Sequence, residues 1–311
     1  MTQVSDIGER ELISRLSRFL PDDASLVCGA GDDCAVVRSL AHGEHDLLLT
    51  SDAVIADRHF TATASPHYIG HKAITRCLSD LAAMGGEARW ALINIVVPAD
   101  TDATLLDDIY RGAAETAATY GLLICGGDTA QGSSLSLNVF AVGSLPRDGA
   151  VRRSGARAGD ALFVTGTLGG QYQAETSPVE PRLGEGQWLR DWANAMIDLS
   201  DGLATDVRHL ADASKVGFTL NGLAIPISTE AKALNDDRSL LDHALTDGED
   251  YELLFTIPGE RVEAFVREWK HVHTLPCTHI GSATDRTGMI ELETEGNRSI
   301  ELKATGYDHF E

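Results

Sequence analysis

Five times along this chain an aspartate stands beside glycine, serine or threonine, at or just past a short apolar run. The segments are Gly31-Asp32-Asp33, Thr50-Ser51-Asp52, Ser79-Asp80, Gly126-Gly127-Asp128-Thr129 and Asp198-Leu199-Ser200-Asp201-Gly202. A fold that buries the apolar runs must leave these carboxylates at the surface or bring cations to them, because a buried, unpaired charge is costly. Singly, each segment is an ordinary turn or helix cap. Asp80 differs, since it lies between Leu78 and Leu81 in a run at helical spacing, where a carboxylate needs a partner or a metal. Asp206 and Asp212 read as surface residues of a later helix. Hard divalent cations take oxygen ligands, and Mg²⁺ combines one or two carboxylates with water and substrate phosphates. Nearby glycines let the backbone approach a nucleotide and offer N–H donors. By itself the pattern implies multi-metal phosphate chemistry.

Apolar spacing places these segments on alternating strands and helices. Residues 11–20 read as an amphipathic helix, 47–50 as a strand running into Ser51-Asp52, and 69–84 as a helix ended by Gly85-Gly86. Strands follow at 91–97, 122–125 and 135–142, with a helix over 102–120 between the first two. A domain boundary is expected in the loop 146–149. Strands and helices alternate again in the second half, with strand 161–165, helix 187–195, helix 203–214, strand 253–257 and helix 260–269, and with 169–186 a loop. The expected class is mixed α/β (α+β) in two domains, 1–147 and 148–311. A length of 311 residues suits two cores.

Charge narrows the partners. With 25 Lys plus Arg against 47 Asp plus Glu, the net charge is −22, which argues against a nucleic-acid partner but not against phosphate substrates carried by cations. The first twenty residues lack the apolar core of a signal peptide, and the greasiest run, 90–97, is far shorter than a membrane span. Five cysteines with no C-x-x-C pair suit a reducing compartment, so a soluble cytoplasmic protein is expected. There is no phosphate-binding loop with lysine, no protein-kinase motif set, no nucleophile elbow and no H-E-x-x-H. The glycine cluster Gly166-Thr167-Leu168-Gly169-Gly170 is a weak nucleotide signal. If ATP is handled, metal and arginine must do what lysine does elsewhere.

At GAGDDCAVV (29–37), TSDAVIADRHF (50–60), LSDLAAMGG (78–86), CGGDT (125–129), VRRSGARAGDALFVTGTLG (151–169), IDLSDGLATD (197–206), DGEDYELLF (247–255) and GYDHF (306–310), the chain resembles the bacterial thiamine-monophosphate kinases. These belong to the aminoimidazole-ribonucleotide-synthetase-like superfamily, whose two-domain architecture the resemblance implies. It also implies direct transfer of the ATP γ-phosphoryl group to the phosphate of thiamine phosphate, with several Mg²⁺ ions, ATP as co-substrate and a homodimer paired through the N-terminal domains. Carried over residue by residue, Asp33, Thr50, Ser51, Asp52, Asp80, Asp128, Asp198 and Asp201 resemble the metal ligands. Gly127, Asp128, Arg153 and Ser200 resemble the ATP contacts. His59, Glu249 and Tyr307 resemble the groups that hold the thiamine substrate, Glu249 facing its cationic part. No general base is implied, because the acceptor is a phosphate oxygen already ionised near neutral pH.

Three departures bear on that reading. Residues 170–187 form a short, acidic segment where only Pro181-Arg182 keeps the family's basic, proline-containing stretch; Ala130-Gln131 follows GGDT; and Asp247 stands where the family has glycine, with Arg58 before His59 as its expected compensating charge. Two alternatives stay open: another ATP-dependent member of the superfamily with a different acceptor, and a nucleotide-binding module without transfer activity.

Overall fold

The computed structural model describes residues 11–14, 23–29, 31–38, 43–173, 179–294, 296 and 298–302. Six strands form the first sheet: β1 (Leu26–Cys28), β2 (Ala35–Arg38), β3 (His45–Ile55), β4 (Glu87–Val97), β5 (Leu123–Gln131) and β6 (Ser136–Pro146). Their order is β1-β2-β3-β6-β4-β5, and only β4 and β5 run parallel. Helix α1 (Pro66–Ala83) follows β3, and α2 (Ala103–Thr119) links the parallel pair. Ser65 caps α1 by accepting from Tyr68 N, with Pro66 in the first turn. Gly86 N closes the other end on Leu81 O at 2.8 Å. α1 and α2 approach closely enough that a Cβ on Gly70 would stand 1.9 Å from Ile109 O, and one on Gly112 would stand 2.1 Å from His67 O.

Seven strands make the second sheet: β7 (Ala161–Thr165), β8 (Ala195–Asp198), β9 (Gly217–Asn221), β10 (Leu253–Ile257), β11 (Cys277–Thr284), β12 (Ile290–Thr294) and β13 (Arg298–Glu301). The order is β13-β12-β9-β11-β7-β10-β8. Five helices accompany it: α3 (Leu183–Leu189), α4 (Leu203–Ser214), α5 (Thr229–Ala233), α6 (Leu240–Thr246) and α7 (Val262–Val272). β7, β8 and β10 are buried on both faces, so alternate residues serve two cores. Phe163, Met196 and Phe255 join a core continuous with α1 and the first sheet. Leu162, Ile197 and Leu254 face Leu203, Val207 and Leu210 of α4 in the other. α1 is thus packed between the two halves and can present residues to both. No helix among the described residues is long and apolar enough to cross a membrane.

Helix 203–214 and strands 161–165 and 253–257 match the sequence expectation. Helix 187–195 does not: the helix occupies 183–189, and Ala195 begins β8, paired to β10. The expected strands at 47–50 and 122–125 are only parts of β3 and β5, so Asp52 and Asp128 lie inside strands rather than at their ends. Residues 11–14 are helical, whereas the rest of the expected N-terminal helix lies outside the described residues.

Candidate active site

Lys72, Arg76 and Asp80 recur every four residues and form one stripe along α1. Asp80 accepts a hydrogen bond from the Thr50 hydroxyl of β3. Carboxylate oxygens of Asp33, Asp80 and Asp198 lie within 4.8 Å of one another. Asp198 ends β8 and accepts from Ser79 Oγ at 2.5 Å. Arg153 grips Asp33 with two nitrogens, Nη2–Oδ1 at 2.9 Å and Nε–Oδ2 at 3.2 Å, while its backbone N–H donates to Asp32.

Crowding on this scale disfavours ionisation. Burial first, then the charges of Asp52, Asp198 and Asp33, holds the Asp80 carboxyl well above the usual carboxylate range. Asp198 is raised by burial and by Asp33. Asp32 is pushed up to about 7 by burial and by Asp33. Hard oxygen donors gathered in excess of positive charge suit a divalent cation, and the donor set therefore fits Mg²⁺.

These raised values set a sign for stability. Between the unfolded aspartate value, about 4, and the folded value, the native chain holds protons that the unfolded chain has released. This contribution is present at low pH and is lost as pH rises, for Asp32 through about 7. Thermal melts of the metal-free chain from about pH 5 to pH 8 are expected to fall with a steeper slope in the wild type than in Asp32→Asn. Equal slopes would contradict the assignment.

The opposite wall comes from the loop 247–251. Gly248, Glu249 and Tyr251 all have positive φ, at 72°, 57° and 50°, in a backbone fixed by Glu249 N to Ser200 O and Tyr251 N to Leu199 O, both 2.8 Å. Glu249 meets two cations of α1: Lys72 Nζ at 2.7 Å and Arg76 Nη1 at 3.2 Å. Arg76 Nη2 reaches Asp52 Oδ1 at 3.2 Å. His59, 7% exposed, accepts from Ile55 N through Nδ1. Arg58, His59, Arg76, Ser200, Asp201 and Glu249 all line one hollow.

Of the residues expected at the site, Asp33, Thr50, Asp80, Asp198 and Arg153 converge at the buried end. Asp52, His59, Ser200, Asp201 and Glu249 gather around Arg76 and the hollow. The side chains of Ser51 and Asp128 do not join them within one chain. Ser51 pairs with Phe140, opposite Leu92, and Asp128 pairs with Asn94, so both share the sheet face of Phe140 and Leu92 while Thr50 and Asp52 take the other. Gly127 and Asp128 also lie on the edge strand, three strands from β3, a span of about 14 Å at normal strand spacing. Tyr307 lies outside the described residues.

Other expectations need correction. Asp206 is not a surface residue: it is 1% exposed, accepts from Asp201 N at 3.1 Å, and lies with Asp201 and His209 as a second group of potential ligands. The glycine cluster 166–170 spends N–H groups on side chains, Gly169 on Asp250 and Gly170 on Asp247. Gly166 has φ +58°, and its Cβ would stand 1.9 Å from Glu252 Oε1. Asp247 is compensated by Arg238 at 2.7 Å rather than by Arg58, and His243 Nδ1 lies within hydrogen-bond distance of its other oxygen at 2.8 Å. Arg182 pairs with buried Glu252 at 2.8 and 2.5 Å. Lys72 and Arg76 are site residues that the sequence reading does not single out; their four-residue spacing from Asp80 is the available signal.

Residues 31–145 match the family model described as AIR synthase related protein, N-terminal domain. The chain is 31% identical to a thiamine-monophosphate kinase of Haemophilus influenzae, covering 98% of each protein. It is 35% identical to one of Salmonella typhimurium over 97% of this chain and 98% of that protein. A solved structure, AaThiL complexed with AMPPCP and TMP, superposes with a TM-score of 0.82 at 30% identity, covering 99% of both chains.

Proposed function

The chain belongs to the thiamine-monophosphate kinase family, and on that premise we propose that it transfers the γ-phosphoryl group of ATP to thiamine phosphate, giving thiamine diphosphate and ADP. The observation that carries this reading is the convergence of Asp33, Asp80 and Asp198 beside Arg153, one wall away from Glu249 and His59. The solved relative complexed with AMPPCP and TMP supports binding of a nucleotide and of a second ligand.

Asp33, Thr50, Asp52, Asp80, Asp198 and Asp201 would hold Mg²⁺, and the bound ions would offset the repulsion between donor and acceptor phosphates. The chain's own residues supply position. Thr50 and Ser79 orient Asp80 and Asp198 by hydrogen bonds. Arg153 and Ser200 are assigned to the nucleotide phosphates. His59 and Glu249 are assigned to thiamine. Because Glu249 already meets Lys72 and Arg76, acceptor binding involves an exchange of its partners. Attack by an ionised phosphate oxygen needs alignment rather than a general base.

Gly127 and Asp128 enter this reading through a second chain. The sheet face of Asp128 also exposes Trp90, Leu92, Leu123 and Phe140 at 44–60%. A homodimer formed on that face would cover this apolar surface and could carry Asp128 to a partner's site. In the same reading residues 1–147 supply the nucleotide, metal and pairing surfaces, residues 148–311 complete the cleft, Ser51 contributes through its backbone, and the protein is cytoplasmic.

ADP release from Mg-ATP, measured with and without thiamine phosphate, tests the assignment: release is expected only with the acceptor. Equal release without it would mean transfer to water, and no release with it would favour a different acceptor. Glu249→Gln is expected to raise the thiamine phosphate KM by about tenfold, for loss of one charge-assisted contact, with the ATP KM little changed. An unchanged acceptor KM would remove that role.

A further inference from the structure

Arg76 stands one helical turn before Asp80, with 11% of its side chain exposed. It donates through Nη2 to Asp52 of β3 and through Nη1 to Glu249 of the 247–251 loop, each at 3.2 Å. Its Nε is buried and has no hydrogen-bond partner among the described residues. The contrast with two other half-buried arginines is informative. Arg153 places two nitrogens on Asp33, and Arg182 places two on Glu252, the paired geometry of a fixed ion pair. Arg76 instead gives one long bond to each of two carboxylates from opposite halves of the chain and retains an unused buried donor. Lys72 already holds the second oxygen of Glu249, so that carboxylate keeps a cation if Arg76 leaves.

We propose that Arg76 is a displaceable counter-ion: it competes with a divalent cation for Asp52 and, once displaced, turns its N–H groups to a phosphate oxygen in the hollow that it lines with Arg58, His59 and Ser200. The inference rests on the reading of Asp52 as a metal ligand. It makes metal affinity lower than the carboxylates alone would give. It also couples metal and phosphate binding positively, since each helps to displace the same bond.

The test uses the metal-free chain, titrated calorimetrically with Mg²⁺ alone and then with pyrophosphate in saturating Mg²⁺. Arg76→Gln keeps a polar side chain without charge; Arg76→Lys keeps the charge. Mg²⁺ is expected to bind Arg76→Gln about five- to tenfold tighter than wild type, and pyrophosphate about tenfold weaker, with Arg76→Lys near wild type in metal affinity. Unchanged or weaker Mg²⁺ binding in Arg76→Gln overturns the proposal. Should that variant not fold, arginine-labelled wild type decides: the Arg76 Nε–H resonance, assigned by its loss in Arg76→Lys, moves on addition of Mg²⁺ and again with pyrophosphate. A resonance unmoved by Mg²⁺, or a wild type that takes up none, overturns it. A chain that shows these shifts but makes no thiamine diphosphate retains this inference and loses the acceptor assignment.

Discussion

Asp80→Asn is expected to cut kcat/KM for thiamine diphosphate formation by on the order of 10³-fold while raising the melting temperature of the metal-free chain. Both effects follow from one arrangement. Asp80 is buried beside Asp33 and Asp198, and its carboxyl is raised by burial and by its acidic neighbours. Asparagine still accepts from the Thr50 hydroxyl, so the local geometry is kept while the cost of holding an ionisable carboxyl among acidic neighbours is removed. Without metal, the native state gains by that removal. With Mg-ATP, Asp80 as the proposed ligand would no longer offer a charged oxygen, and the developing phosphoryl charge would be less well balanced. Opposite signs separate this from a structural role, in which activity and stability fall together. Retained activity, or a lower melting temperature without metal, would overturn the assignment.

Arg182→Met is expected to destabilise the chain by about 3–5 kcal/mol. Glu252 is 4% exposed and is satisfied by Arg182 and by Thr165 Oγ1 at 2.5 Å. Removing the guanidinium leaves a carboxylate buried behind Gly166, with no room for a compensating side chain there. Glu252→Gln in the same chain is expected to restore much of the loss, because the uncompensated charge is gone. Urea unfolding of both single variants and the double variant gives the comparison. Costs below about 1 kcal/mol in Arg182→Met would mean that the pair is an ordinary surface bridge. The surviving Pro181-Arg182 is tied through Glu252 to the chain that follows the loop bearing Glu249.

The apolar period shows α1, α4 and β10 well because each buries a continuous face. It shortens β3 and β5, since Asp52, Gly126, Gly127 and Asp128 are poor strand formers that pairing with β6 and β4 overrides. That shortening hides the sidedness of the site: only with the whole strand in place do Ser51 and Asp128 fall on the face opposite Thr50 and Asp52. The motif residues of the cleft are legible one by one, by resemblance. Their pairing is not, because Lys72 and Arg76 reach Glu249 across 177 and 173 residues of chain. Asp206 escapes the sequence reading for a related reason. Its helix position reads as polar, whereas the turn of Asp201 folds over it and takes its oxygen.

The most direct measurement is ³¹P NMR of the protein with ATP, thiamine phosphate and Mg²⁺. Equal growth of ADP and of the two coupled resonances of thiamine diphosphate, absent when Mg²⁺ is chelated, is the predicted result. ADP appearing with inorganic phosphate and no thiamine diphosphate would contradict phosphoryl transfer to this acceptor, and transfer undiminished by chelation would contradict the role of the carboxylate cluster.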